Sequence, residues 1–175
     1  MRTLSTRTLA VAAACLAGGP AAWAQYSTPM RNVENPDRFP YVQSGTTTIS
    51  ANVVNGFIFF PTPAGKRVVV EHVAVQCTSQ SASGDTFTQT QLRVLKPLSP
   101  TSFSELTVAF IPLQRRGPAF FGGTLWTGNE PVTAIGEANP FDPTGGTGLS
   151  LNIFRADASG VASCYGALTG HLFTP

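Results

Sequence analysis

Short runs of β-branched and aromatic residues, each closed by a cluster of Gly, Pro, Ser or Asn, fill most of this chain and limit its choice of fold. They are TTTISANVV (46–54), FIFF (57–60), KRVVVEHVAVQC (66–77), TQTQLRVLKPL (88–98), ELTVAFIPL (105–113), AFFGGTLW (119–126), PVTAIGEA (131–138), LSLNIFRA (149–156) and SCYGALTGHLF (163–173). None keeps a helical period over three turns, and no repeat of fixed length argues for a propeller or solenoid. Many short strands with turn signals between them specify a sandwich or a barrel. Eight or nine segments exceed the seven of a minimal sandwich. The expectation is an all-β, single-domain antiparallel β-sandwich, jelly-roll-like, preceded by an extended arm.

The ends of the chain carry a different signal. Arg2 and Arg7 precede the apolar run Leu9–Leu16, and Ala22-Trp23-Ala24 has the small-x-small form of a signal-peptidase site. Residues 1–24 therefore read as a signal peptide cleaved after Ala24, which places the mature chain in the periplasm or outside the cell. Ala-Ala-Ala-Cys ending at Cys15 offers a rival lipoprotein reading, but it lacks the usual Leu three residues before the cysteine. The apolar run is too short to span a bilayer, and nothing later is long enough to do so as a helix. Residues 25–45 hold Pro29, Pro36 and Pro40, which exclude a long helix or a central strand and read as the arm. Residues 46–175 form the sandwich.

Charge excludes some partners. The full chain has 11 Lys and Arg against 9 Asp and Glu. Arg2 and Arg7 leave with the signal, so the mature chain is neutral. It lacks the basic face that nucleic acid demands and the polybasic patch that acidic lipids attract.

Cleavage also leaves two cysteines, Cys77 and Cys164, whose simplest fate in an exported chain is a disulfide. Closing a loop of that length removes about 4.6 kcal/mol of chain entropy from the unfolded state. Alternation within the third run sets Val69, Glu71, Val73, Val75 and Cys77 on one face and Val68, Val70, His72, Ala74 and Gln76 on the other. In the last run Cys164, Gly166, Leu168, Gly170 and Leu172 oppose Tyr165, Ala167, Thr169, His171 and Phe173. The two cysteine-bearing faces should be the core faces. Antiparallel pairing around the disulfide would put Glu71 opposite Gly170, which leaves room for the carboxylate, and His72 opposite Thr169. A bulge would instead turn Glu71 outward.

Few residues suggest chemistry. Glu71 and His72 point to opposite faces of a regular strand, so they cannot form an acid–base pair. His72 reads as structural, and Glu71 as the ion-pair partner of Lys66, Arg67 or Arg93. His72 and His171 match no metal spacing, and no cofactor motif is present. G-x-S-x-G is missing, and PTGGTG (143–148) lacks the Lys-Ser/Thr and helix of a phosphate loop. Nine scattered carboxylates leave a glycosidase pair open. Phe120, Phe121 and Trp126 flank a Gly-Gly break. They read as a hairpin whose aromatics alternate into the core, since alternation around a turn should bury at least half of the set. The alternative is that Phe120, Phe121 and Trp126 form an exposed platform for a sugar ring or a partner protein, the candidate ligand or partner surface.

NVENPDRFPY (32–41), PAGKRVVVEHVAVQC (63–77) and YGALTGHL (165–172) together resemble a group of small exported bacterial proteins of no assigned activity. Their pattern is an N-P-x-R-x-P arm, a P-A-G-K-R-aliphatic strand and a closing strand ending in Gly-aromatic-Leu. His171 stands here where the aromatic belongs. The resemblance implies export and β-architecture and supplies no site residue. The functional expectation is a non-catalytic exported binding or interaction module for a carbohydrate or an envelope protein. The alternatives are a carbohydrate-active enzyme and a structural subunit assembling into homo-oligomers through the arm.

Overall fold

The computed structural model describes residues 38–80, 86–119, 122–156 and 159–175. Residues 1–24, expected from the sequence to be a signal peptide, residues 25–37 of the expected arm, and Phe120 and Phe121 lie outside the described residues. Among the described residues nine strands run in order: β1 (Phe39–Ile49), β2 (Asn55–Pro61), β3 (Arg67–Ser79), β4 (Phe87–Ser99), β5 (Ser102–Ile111), β6 (Gln114–Pro118), β7 (Thr124–Glu137), β8 (Thr147–Arg155) and β9 (Ala162–Phe173).

Two antiparallel sheets form, ordered β1-β9-β3-β7-β6 and β2-β8-β4-β5. Without β6 this is a jelly roll of two four-stranded sheets, and β6 extends the first sheet by one strand. Alternate residues of each sheet meet in the middle. Ile58, Phe60, Leu92, Leu149, Leu151 and Ile153 come from one, and Val68, Val70, Val73, Val75 and Leu168 from the other.

Several boundaries differ from those expected. β1 begins at Phe39 rather than Thr46, so the last residues assigned to the arm belong to the sheet. Pro40 is tolerated because β1 is an edge strand, with β9 as its only ladder neighbour among the described residues. The expected segments 119–126 and 131–138 are not separate strands. β7 runs through Pro131, which sits where the ladder to β3 already loses register, opposite His72. β6, with sequence QRRGP, is too polar to read as a strand, and it too is an edge.

The largest correction concerns β3. Its register to β9 shifts between Val70 and His72. His72 pairs with Thr169 as expected, but Gly170 faces Val70, not Glu71. The extra residue reverses the alternation. Val68 and Val70, expected to face out, are fully buried, and Val73, Val75 and Cys77 continue the core face after the bulge. Glu71 is turned to solvent, and no room is reserved for it at Gly170. A Cβ on Gly170 would lie 1.9 Å from the Val69 carbonyl oxygen, so the glycine admits the bulged backbone of β3.

Two buried polar side chains tie loops to the core. Tyr41 donates its hydroxyl to the Pro61 carbonyl at 3.0 Å, joining β1 to the end of β2 across the sandwich. Arg155 is 3% exposed and donates to the carbonyls of Val53, Gly160 and Ser50 at 2.6–2.8 Å. Those bonds satisfy turn carbonyls that strand ladders cannot reach.

Candidate functional site

Cys77 and Cys164 face one another on adjacent strands and are bonded, with Cα atoms 4.1 Å apart. Both side chains point into the core. Their neighbours in sequence therefore point out, and register lines these up across the five-stranded sheet. Thr46 of β1 faces Tyr165 of β9. Tyr165 faces Gln76 of β3, Gln76 faces Thr127 of β7, and Thr127 faces Gln114 of β6. The next row is Thr48, Ser163, Thr78 and Leu125. At the usual strand spacing the first row is about 19 Å long.

This face is rich in hydroxyls and amides, and in its central row, among the described residues, it holds one exposed ring, Tyr165, at 45% exposure. Two shallow depressions of about 360 and 460 Å³ lie on it and share Gln76, Thr78 and Ser163. The first reaches Thr46, Thr48 and Tyr165, and the second reaches Gln80, Ala119 and Gly122. Arg116, at the register break of β6, closes one end of the face by donating from Nε to Thr127 Oγ1 at 2.8 Å. The disulfide lies directly beneath the two central strands and holds the platform in one geometry.

The residues singled out from sequence are distributed differently. Trp126 points inward and packs edge-on against Phe87, with centroids 6.0 Å apart, among residues bordering the core. It is partly buried, so it is not an exposed platform ring. Its Nε1 is buried with no hydrogen-bond partner among the described residues. Glu71 does not pair with Lys66, Arg67 or Arg93. The bulge carries it to His171, whose Nδ1 lies 3.0 Å from Glu71 Oε1. The cations are engaged elsewhere. Arg67 binds Glu137 at 2.8 Å, Arg93 binds Glu105, and Lys66 donates to Thr174 at 2.7 Å. His171 and Glu71 thus form a dyad, and among the described residues no serine or cysteine side chain bonds to either group. Among the described residues no cluster of three or more His, Cys, Asp or Glu could hold a metal ion.

A further depression of about 370 Å³ lies between the β4–β5 turn and the loop before β8. Phe59, Leu95, Phe103, Asn139 and Asp142 contribute to its lining. Asp142 is its single carboxylate. Two hydrogen bonds from Thr144, from its hydroxyl and its backbone N–H, hold this carboxyl below the usual carboxylate range. A glycosidase acid needs the opposite shift and a facing second carboxylate. A neighbouring hollow adds Glu137 to Asp142, but Glu137 is paired with Arg67.

The sequence did carry part of this. Alternation in 66–77 and 163–173 sets Gln76 and Tyr165 opposite the cysteines. The lateral contributions of Thr46 and Thr127 had no sequence signal, because strand order is set by long-range pairing.

No protein-family model matches the chain, and no curated protein does. Solved structures to which the chain shows a weak similarity include the Drosophila NLP core, described in a study of pentamer formation and histone binding. It is 11% identical with a TM-score of 0.27, over 74% of this chain and 97% of that one. Another is the capsid protein of BFDV in its 60-mer form, 9% identical with a TM-score of 0.33, over 78% of this chain and 92% of that one.

Proposed function

We propose that this chain is an exported, non-catalytic binding module, that its site is the outer face of the five-stranded sheet, and that its ligand is a neutral carbohydrate. The observation that carries this is the row Thr46, Tyr165, Gln76, Thr127 and Gln114, a continuous stripe of hydroxyls and amides around one exposed ring. Sugars present both hydroxyls and an apolar face. A rigid ring with hydrogen-bonding groups on both sides suits that combination, and charge adds nothing. The disulfide favours an oxidising compartment and stiffens the platform, which lowers the ordering cost of binding. The enzyme alternative is disfavoured by the carboxylates. Glu71, Glu105, Glu137 and Asp142 are each engaged by a partner, and of these only Glu137 and Asp142 line one hollow, where Arg67 and Thr144 occupy them.

Titration of neutral oligosaccharides into the processed protein tests the proposal. Tyr165→Ala and Gln76→Ala should each weaken binding about tenfold, equivalent to about 1.4 kcal/mol, without lowering the melting temperature. Binding unchanged by both substitutions would move the site elsewhere. Loss of an envelope-protein interaction instead, with no sugar bound by the wild type, would replace the ligand class.

A further inference from the structure

A jelly roll leaves four strands at its sheet edges, and an edge strand is a template for pairing unless something blocks it. Here β1 carries Pro40. β2 has seven residues and ends in Pro61. β6 combines Arg115, Arg116 and Pro118 with a break in register. β5 lacks such guards. It has ten residues and no proline, and its only charged side chain, Glu105, is bonded to Arg93 of β4. Its bulge, at Val108, lies beyond the regular stretch Phe103–Thr107. Among the described residues its only ladder neighbour is β4. It also exposes apolar side chains, with Phe103 at 52%, Leu106 at 65% and Phe110 at 62%.

We infer that the free edge of β5 is an interface between two copies of this chain, paired antiparallel about Leu106. A two-fold axis normal to the sheet keeps each face continuous, so partners must differ by an even number of residues. Centring the pair on Glu105 would set two carboxylates opposite each other, which is unfavourable. Centring it on Leu106 sets leucine against leucine and covers both. Glu105 then faces Thr107 of the second copy, whose neighbour across the ladder to β4 is Arg93. Each copy's carboxylate approaches the other's guanidinium, so the charges are complementary under the symmetry. An isologous contact of this kind closes at two subunits.

Sedimentation equilibrium of the processed chain tests this. The wild type should have twice the monomer mass, and Leu106→Lys, which sets two like charges at the two-fold axis, should halve it. The melting temperature extrapolated to low protein concentration should be the same for both. Arg115→Glu, on the β6 edge, should leave the dimer intact. A monomeric wild type overturns the inference. So does a dimer that survives Leu106→Lys or is lost with Arg115→Glu. A monomer that takes up an extended peptide along β5 would assign the edge to a peptide partner and overturn the dimer equally. The sugar-binding variants Tyr165→Ala and Gln76→Ala lie on the other sheet, so either proposal can fail without the other.

Discussion

Tyr41 shows how one residue can make pH a probe of packing. It is 3% exposed, and burial pushes its hydroxyl up to about 12 from the ordinary 10.0. The folded state therefore retains a proton that the unfolded chain releases at lower pH. In the interval between the two values the unfolded state binds fewer protons, so stability falls as pH rises. Tyr41's contribution is complete below pH 10 and should be lost progressively towards pH 12. Denaturant melts in that window should show the slope, and Tyr41→Phe should flatten it. At neutral pH the same substitution costs the bond to Pro61, about 1 kcal/mol. Glu71 and His72 make a contrasting case. The sequence VEHV suggests a neighbouring acid and base, yet the residue that bonds Glu71 is His171, on another strand.

Among the elements, β3 and β9 depend most on one another. The bulge at Glu71 works only because Gly170 has no side chain, since a Cβ there would also lie 2.9 Å from the Val69 carbonyl carbon. Gly170→Ala should therefore cost about 3 kcal/mol by forcing the bulge out of register, measured as a shift in urea midpoint. If the variant kept wild-type stability, Gly170 would have no role in accommodating the bulge. Alternation within each strand was legible in the sequence. In β8, Leu149, Leu151 and Ile153 face the core as the pattern requires. Alternation across the bulge was not legible. Every residue from Val68 to Val75 except Glu71 and His72 is apolar, so either phase buries valines, and only the pairing with β9 and β7 selects one. Arg155 was missed for a similar reason. An arginine at the end of an apolar run gives no sign that the carbonyls of Ser50 and Val53, about a hundred residues earlier, lie beside it.

At the scale of the whole molecule the disulfide joins neighbouring strands within one sheet and closes nearly half the chain, with a separation of 87 residues. Cys77→Ser in the oxidised protein should cost about 2–5 kcal/mol, seen as a lower melting temperature, and reduction of the wild type should reproduce it. The loss should also blunt the proposed sugar binding more than stability alone explains, because Tyr165 and Gln76 adjoin the bonded cysteines. Equal melting temperatures with and without reductant would remove the disulfide from the account of both stability and site.

By itself the sequence determined the fold class, the span of most strands and the pairing of Cys77 with Cys164. Period-two alternation, turn residues and cysteine number are local properties that each segment shows alone. Only the tertiary structure decided that the disulfide lies within a sheet, that β3 changes phase at Glu71, that Trp126 packs inward, and that Thr46, Tyr165, Gln76 and Thr127 share a row. Those facts depend on which strands become neighbours and in what register. Neighbours are selected by the joint burial of apolar faces far apart in the chain, and no single segment holds that information.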